Sequence, residues 1–223
     1  MSASTPSSAQ ATLMLVESAR YALLRRLAAA IRHQMVAHLQ PIGMVSELLE
    51  RRTRAASPDL AAIHDGAAKI NSLSKAAAKD VLDVITWMSP EPGATMPFDA
   101  AVRDCVDLLH SNFSFRGFNL AAEVSELPQP VGRAAARMLL PAALLALTDT
   151  QEGPADVVIS ARTGEDVIHV EIRFIRTEGD GGYGSKLSYR SMEWGEVNAM
   201  ARAEDVELSY TESTATLAFP VLA

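Results

Sequence analysis

The amino-acid sequence predicts an α+β protein in which an N-terminal helical hairpin is followed by an α/β sandwich. Residues 11–53 contain a single glycine and a single proline and are rich in alanine, leucine and arginine, which favour helix. A run of proline and glycine near residue 90 then interrupts the helical pattern. Beyond it, short alternating apolar runs typical of strands stand between apolar helical segments, which indicates helices packed on a sheet.

The predicted hairpin consists of two long helices over residues 11–89. In the first helix, apolar side chains recur at helical spacing from Leu24 to Leu49. Ser57-Pro58-Asp59 predicts the start of the second helix, with a serine N-cap, a proline in the first turn and an early acid. Apolar residues then recur at helical spacing up to Met88. Two helices cannot bury both apolar stripes alone, so we expect a homodimer that forms a four-helix bundle.

The second half of the chain is predicted to form a linker, residues 90–97, and the sandwich, residues 98–223. The predicted helices there span residues 98–109, 132–150 and 193–203, and the predicted strands span 118–124, 157–161, 167–175, 206–210 and 215–220. The last two strands are expected to form a closing hairpin.

Composition excludes several kinds of function. The net charge of −7 argues against nucleic-acid binding, which needs a basic face. Cys105 is the only cysteine, which excludes an intramolecular disulfide and a cysteine-based zinc site. Residues 1–10, rich in Ser, Ala and Thr, are predicted to be a disordered tail rather than a signal peptide. No apolar run approaches the roughly 20 residues of a membrane span, so we expect a cytoplasmic protein with no membrane partner.

One of the five histidines lies opposite the apolar stripe of the first helix. At about 100° per residue, His33 falls near 180° from Leu24, whereas His38 falls about 40° from the stripe and is expected to be partly buried and structural. An exposed imidazole is a good nucleophile near neutral pH. Small or adaptable side chains around it would let another protein approach closely. The residues on this face are Arg26, Ala29, Ala37, Gln40, Met44, Glu47 and Arg51.

The segment around His33, R-H-Q-M-V-A-H-L-Q-P-I, resembles the phosphoacceptor motif of histidine kinases and histidine phosphotransferases, R-H-[DE]-x-x-N-x-L-Q-x-I. The matching residues are Arg32, His33, Leu39, Gln40 and Ile42. Residues 143–150 resemble a second family segment, A-L-x-N-L-x-x-N-A, of the kinase ATPase domain. The resemblance implies a dimeric phosphoacceptor hairpin followed by a kinase ATPase-like sandwich, and it implies that His33 accepts the phosphoryl group.

Departures from the family pattern bear on catalysis. The acid that follows the histidine in active kinases, where it serves as base, is Gln34 here, which cannot take a proton. The family has a polar residue four positions after the histidine, which is linked to dephosphorylation, and this residue is Ala37 here. The two asparagines of the nucleotide-binding helix correspond to Ala146 and Thr150, so the amide that coordinates magnesium is lost.

The glycine-rich signature of a nucleotide site is also misplaced. Residues 174–176, Phe-Ile-Arg, stand where the family has D-x-G-x-G, and Asp180-Gly181-Gly182-Tyr183-Gly184 follows several residues too late. The resemblance is therefore to degenerate histidine kinases of the sporulation phosphotransferase and ChpT-like kind. We expect no bound cofactor, with magnesium supplied by a partner receiver domain.

The leading hypothesis is a histidine phosphotransferase that shuttles a phosphoryl group between receiver-domain aspartates through His33. Its expected receiver-docking residues are Arg26, Ala29, Arg32, Ala37, Gln40 and Met44. A second hypothesis is a dimeric adaptor that sequesters a response regulator or a kinase without phosphoryl chemistry. Two others are an autokinase with unusual nucleotide contacts, which the missing asparagines disfavour, and an unrelated helical dimer with a sandwich domain.

Overall fold

The computed structural model describes residues 8–88, 91–179, 181–182 and 189–222. They form two compact units. One contains residues 29–88, and the other combines residues 8–28 with the residues from 91 onwards. Among the described helices, none has the length and hydropathy needed to cross a bilayer.

The unit of residues 29–88 is a helical hairpin. Helix α1 covers Ser8–Thr53 and continues into this unit from residue 29, and helix α2 covers Leu60–Met88. The two helices are antiparallel here: the Arg52 Nη1 donates to the carbonyl oxygen of Ala62 at 3.0 Å, and further along, Gly66 faces the Leu49 side chain. These contacts agree with the predicted hairpin.

The start of α2 differs from the prediction. The helix begins at Leu60, and Asp59 rather than Ser57 is its N-cap: the Asp59 Oδ1 accepts a hydrogen bond of 3.1 Å from the Ala62 backbone N–H. Aspartate caps helices as well as serine does, so the carboxylate satisfies an N–H that the first turn cannot.

The N-terminal boundary of the hairpin needs correction. The first part of α1, residues 8–28, belongs to the unit that contains the sheet, although residues 11–89 were all predicted to form the hairpin. Val16, Leu23 and Leu27 are buried there, because that stretch of the helix packs on the sandwich. Residues 8–10 of the predicted disordered tail are helical, and residues 1–7 lie outside the described part.

The predicted linker also contains regular structure. Strand β1, Thr95–Pro97, pairs antiparallel with strand β3, Pro130–Gly132, with Thr95 opposite Gly132. Strands of three residues are too short to show an alternating pattern, which is why neither was predicted. Residue 90 of the predicted linker, and residue 89 before it, lie outside the described residues.

The sandwich contains a five-stranded sheet. Its helices are α3 (Phe98–Phe115), α4 (Arg133–Thr148) and α5 (Trp194–Ala203), and its strands are β2 (Phe118–Glu123), β4 (Ala155–Thr163), β5 (Val167–Arg176), β6 (Glu207–Tyr210) and β7 (Thr214–Pro220). The strand order is β2-β4-β5-β7-β6. Only β2 and β4 are parallel, with α4 in the connection between them, and the other neighbours are antiparallel.

The core lies between the sheet and these helices. On β5, Ile168, Val170 and Ile172 are buried while His169 and Glu171 between them are exposed, so one face of the sheet is covered and the other is open. Helix α4 is buried almost all round, as a central helix must be if it is apolar on every side. The predicted α+β class is confirmed.

Candidate functional site

His33 lies on α1 within the helical hairpin, and its side chain is exposed. In the described part of the chain, no hydrogen bond or ion pair engages its ring. Ala29 and Ala37 lie one turn to either side, and Ala29 is partly exposed while Ala37 is exposed. Met44 is 66% exposed on the same side. The small side chains leave the imidazole accessible to a large partner.

Five of the six predicted docking residues lie on or beside the face of α1 that carries His33. Ala29, Ala37, Gln40 and Met44 share this face, and Arg32 adjoins it. Arg32 and Gln40 are exposed, like Ala37 and Met44, and Ala29 is partly exposed. The five side chains therefore form a candidate docking surface, defined here as Ala29, Arg32, Ala37, Gln40 and Met44.

The sixth predicted docking residue, Arg26, is not on an exposed surface. It is 8% exposed and belongs to the unit that contains the sheet. Its guanidinium donates to both carboxylate oxygens of Asp149, at 2.5 and 2.7 Å, and to the carbonyl oxygen of Arg190 at 3.0 Å. Burial of Arg26 is possible because this bidentate pair satisfies the charge. Its inclusion in the docking surface was wrong.

Asp149 is the centre of a buried ionic cluster that the sequence did not reveal. Its side chain is fully buried, accepts a hydrogen bond from the Met192 backbone N–H, and lies 3.5 Å from the Arg116 Nη1. Burial lowers the pKa of Arg116, the Asp149 carboxylate opposes that shift, and Arg26 adds to it. An acid directly after the largely apolar α4 was the available signal, because such a residue needs a buried cation.

The end of α4 does not fit a magnesium–nucleotide group. Ala146 is buried and carries no polar group, and the Thr148 hydroxyl donates to the carbonyl oxygen of Leu144. The Asp149 carboxylate is already bound to two arginines and a backbone N–H. At residues 146, 148 and 149 the oxygens and amides that magnesium prefers are therefore absent or engaged with protein groups.

The glycine-rich segment is only partly described, since Asp180, Tyr183 and Gly184 lie outside the described residues. Gly182 and Gly117 both have positive φ, and their backbones cross so closely that neither has room for a Cβ. Close backbone packing thus accounts for glycine at these two positions without a phosphate. Residues 174–176, at the place of the missing D-x-G-x-G, belong to strand β5.

A second polar cluster lies in the hairpin. Asp80 on α2 is 7% exposed, and its two carboxylate oxygens contact the His38 Nδ1 at 2.7 Å and the Gln34 Nε2 at 3.2 Å. His38 is partly buried, as predicted, with 31% of its side chain exposed. Sequence reasoning missed Asp80, because only the register of the two antiparallel helices brings it opposite His38. Gln34, beside His33 in sequence, is thereby directed to Asp80.

Other candidate sites are weaker. No group of three or more His, Cys, Asp or Glu side chains within the described ranges is placed to hold a metal ion. An open depression of about 630 Å³ lies on the uncovered face of the sheet, lined by polar side chains such as Arg162, Glu171 and Thr216. Cys105 is buried, burial raises the pKa of its thiol and Asp104 adds to the effect, and both features disfavour a nucleophilic role.

Comparison with known proteins gives a likeness of fold only. No family model matches the chain, and no curated protein matches it. The catalytic domain of histidine kinase ThkA is 8% identical, covering 57% of this chain and 95% of that one, with a TM-score of 0.46. Acinetobacter baumannii histidine kinase AdeS is 14% identical, covering 80% and 96%, with a TM-score of 0.46.

A bacterial phosphotransferase is similar over nearly the whole length. It is 13% identical and covers 97% of this chain and 98% of that one, with a TM-score of 0.37. The chain is thus similar in outline to histidine kinase catalytic domains and to a phosphotransferase. At these identities and TM-scores, the likeness assigns no role to any residue.

Proposed function

We propose that this chain is a histidine phosphotransferase of a bacterial two-component phosphorelay, in which His33 carries the phosphoryl group between receiver domains. The observation that supports this most directly is the exposed His33 ring, which has the short side chains of Ala29 and Ala37 one turn to either side. A receiver aspartate is carried on a bulky domain, so its phosphoryl group reaches an imidazole only where neighbouring side chains are short. Ala29 and Ala37, one turn to either side of His33, meet that requirement.

The transfer needs only an imidazole from this chain. A ring nitrogen of His33 attacks the phosphorus of an aspartyl phosphate, an N–P bond forms, and the aspartate carboxylate leaves with the electron pair of the broken O–P bond. The reverse reaction delivers the group to a second receiver. We propose that the receiver supplies the magnesium ion and that this chain binds no nucleotide, which accords with the engaged carboxylate and absent amides at the end of α4.

We further propose that the active form is a homodimer built on the hairpin. An isolated two-helix hairpin has too little covered surface to be stable alone, and two copies together form a four-helix bundle. The hairpin unit exposes many large apolar side chains, which a second copy would cover. They are Val36, Leu39, Leu48, Leu60, Val81, Leu82 and Ile85.

The proposal is tested with purified protein and radiolabelled phospho-receiver domains from the source organism. We expect acid-labile label on the wild type and on His64→Ala, a control that removes a highly exposed histidine of α2. We expect the receiver-dependent rate to fall roughly tenfold or more in His33→Ala. Labelling of His33→Ala at the wild-type rate by every receiver would overturn the proposal.

A dimeric adaptor without phosphoryl chemistry is the second candidate. The observation that favours it is the direction of Gln34 towards Asp80, which leaves no described carboxylate hydrogen-bonded to His33. In that case a receiver binds without transferring label. Ala37→Arg and Met44→Glu would then weaken receiver binding, measured by calorimetry, while His33→Ala would leave the affinity unchanged.

A further inference from the structure

We infer that His38, held by Asp80, is a second phosphoryl-accepting histidine of this chain, with acyl phosphates or phosphoramidates as its class of donor. Of the described histidines, it alone has a carboxylate within hydrogen-bonding distance, at 2.7 Å. In the nearest comparable pair, the His64 Nδ1 lies 3.7 Å from the Asp65 Oδ1, and each of the two side chains is 85% exposed. The inference goes beyond the proposed function, since it requires neither His33 nor a receiver domain.

The contact with Asp80 fixes which ring nitrogen is the nucleophile. An ionised carboxylate only accepts hydrogen bonds, so the His38 Nδ1 carries the proton and donates it to the Asp80 Oδ2. In the neutral ring the lone pair is then on Nε2, on the edge of the ring turned away from the buried carboxylate. The His38 side chain is 31% exposed, which gives a small donor access to the ring.

The burial of Asp80 makes its charge effective. Its side chain is 7% exposed, so little water screens the carboxylate from the imidazole. As the Nε2 bonds to phosphorus, positive charge develops on the ring, and the adjacent carboxylate stabilises that charge. The same logic underlies the carboxylate–histidine pairs of hydrolases, in which the acid orients the ring and stabilises its charged form.

Gln34 completes the unit. Its Nε2 donates to the Asp80 Oδ1 at 3.2 Å, whereas His38 binds the Oδ2, so both carboxylate oxygens are engaged. Gln34 and His38 are one turn apart on α1, and Asp80 reaches both from α2. These two hydrogen bonds fix the orientation of the Asp80 carboxylate, so Asp80 and Gln34 are positioning residues for His38.

The group transfer balances without an oxidant, a reductant or a metal. The Nε2 lone pair of His38 attacks the donor phosphorus and an N–P bond forms. The bond from phosphorus to the leaving group breaks, and its electron pair departs with a carboxylate from an acyl phosphate, or with ammonia from a phosphoramidate whose nitrogen is already protonated. The proton on the Nδ1 stays in its bond to Asp80.

The test measures phosphorylation site by site with phosphoramidate as the probe. The full chain is incubated with it at neutral pH, and label on each histidine is followed by mass spectrometry under non-acidic conditions. We expect His38 to be labelled roughly tenfold faster than His64, although His64 is far more exposed. A His38 rate equal to or below that of His64 would overturn the inference.

Two variants separate positioning from structure. Asp80→Asn keeps the shape but removes the charge, and we expect the His38 rate to fall about tenfold with the His64 rate unchanged. Asp83→Asn removes a carboxylate of the same helix that pairs with Lys79, and it should leave the His38 rate unchanged. Equal rates at His38 in the wild type and a folded Asp80→Asn variant would contradict the role of Asp80.

A measurement on the wild type keeps the inference testable if Asp80→Asn does not fold. Nitrogen-15 spectra of the imidazoles report the tautomer of each ring, and we expect the Nδ1-protonated form at His38. An Nε2-protonated neutral ring would overturn the inference. Labelling of His38 in His33→Ala, together with no receiver-dependent labelling at all, would support the inference while refuting the proposed function.

Discussion

Glu196 on α5 is a residue whose ionised form the fold stabilises. Arg190 donates to both of its carboxylate oxygens, at 2.5 and 2.8 Å, and the Glu193 backbone N–H donates to one of them. The hydrogen bond from Arg190 lowers the pKa of Glu196 below its ordinary value, burial opposes that shift, and the Glu193 bond adds to it. The same pair raises the pKa of Arg190.

A pH-dependent contribution to stability follows. Because the folded-state pKa is lowered, the contribution is complete above the ordinary value of 4.5 and is lost as the pH falls through the folded-state pKa. We expect Glu196→Gln to unfold at lower urea concentration than the wild type at pH 7, with a difference that shrinks below pH 4.5. The exposed Glu126→Gln is the control and should follow the wild type. A constant difference between Glu196→Gln and the wild type across this range would contradict the expectation.

At the scale of the helices, two glycines of the hairpin differ in what surrounds them. A Cβ at Gly43 in α1 would meet nothing within 4 Å, whereas a Cβ at Gly66 in α2 would lie 2.6 Å from the Leu49 Cδ2. Glycine therefore permits the close approach of α2 to α1 at residue 66, while at residue 43 it only weakens the helix.

Matched alanine substitutions test this packing. We expect Gly43→Ala to stabilise the protein by about 0.5–1 kcal/mol, because alanine favours helix. At Gly66→Ala the same gain is offset because Leu49 must move, so the variant should be less stable than Gly43→Ala by about 1 kcal/mol or more. The free energy of unfolding is measured by urea titration followed by circular dichroism. Equal gains for the two variants would show that the Leu49 side chain moves aside without a measurable cost.

On the scale of the whole molecule, the cluster of Arg26, Arg116 and Asp149 ties the first part of α1 to the sandwich. The two guanidinium side chains are 4% and 8% exposed, and the carboxylate is fully buried. One negative charge is shared by two positive charges, so loss of the Asp149 carboxylate should destabilise the protein more than loss of either arginine.

The predicted order of stabilities follows from that charge balance. Asp149→Asn leaves two buried guanidinium groups without a carboxylate and should cost about 3–5 kcal/mol of unfolding free energy. Arg26→Met should cost less, because Arg116 still lies near the Asp149 carboxylate. Arg54→Ala, which breaks an exposed pair with Glu50, should change stability by less than about 1 kcal/mol. A smaller loss in Asp149→Asn than in Arg26→Met, measured by urea unfolding, would refute this account.

Local patterns in the sequence determined most of the secondary structure and the helix face that carries His33. Helical periodicity predicted α1 and placed His33 opposite the apolar stripe, and the alternating runs predicted β5 and β7, because these signals repeat over many residues. The three-residue β1 and β3 carry no such repeat, so only the structure revealed them.

Only the tertiary structure decided which polar residues meet. Arg26 pairs with Asp149 across 123 positions of sequence, and His38 pairs with Asp80 across 42. The helical angle that placed Arg26 beside His33 was correct for a straight helix, but it could not tell that this turn of α1 packs on the sandwich. Exposure of a side chain is set by what another element places against it, and no pattern local to α1 contains that information.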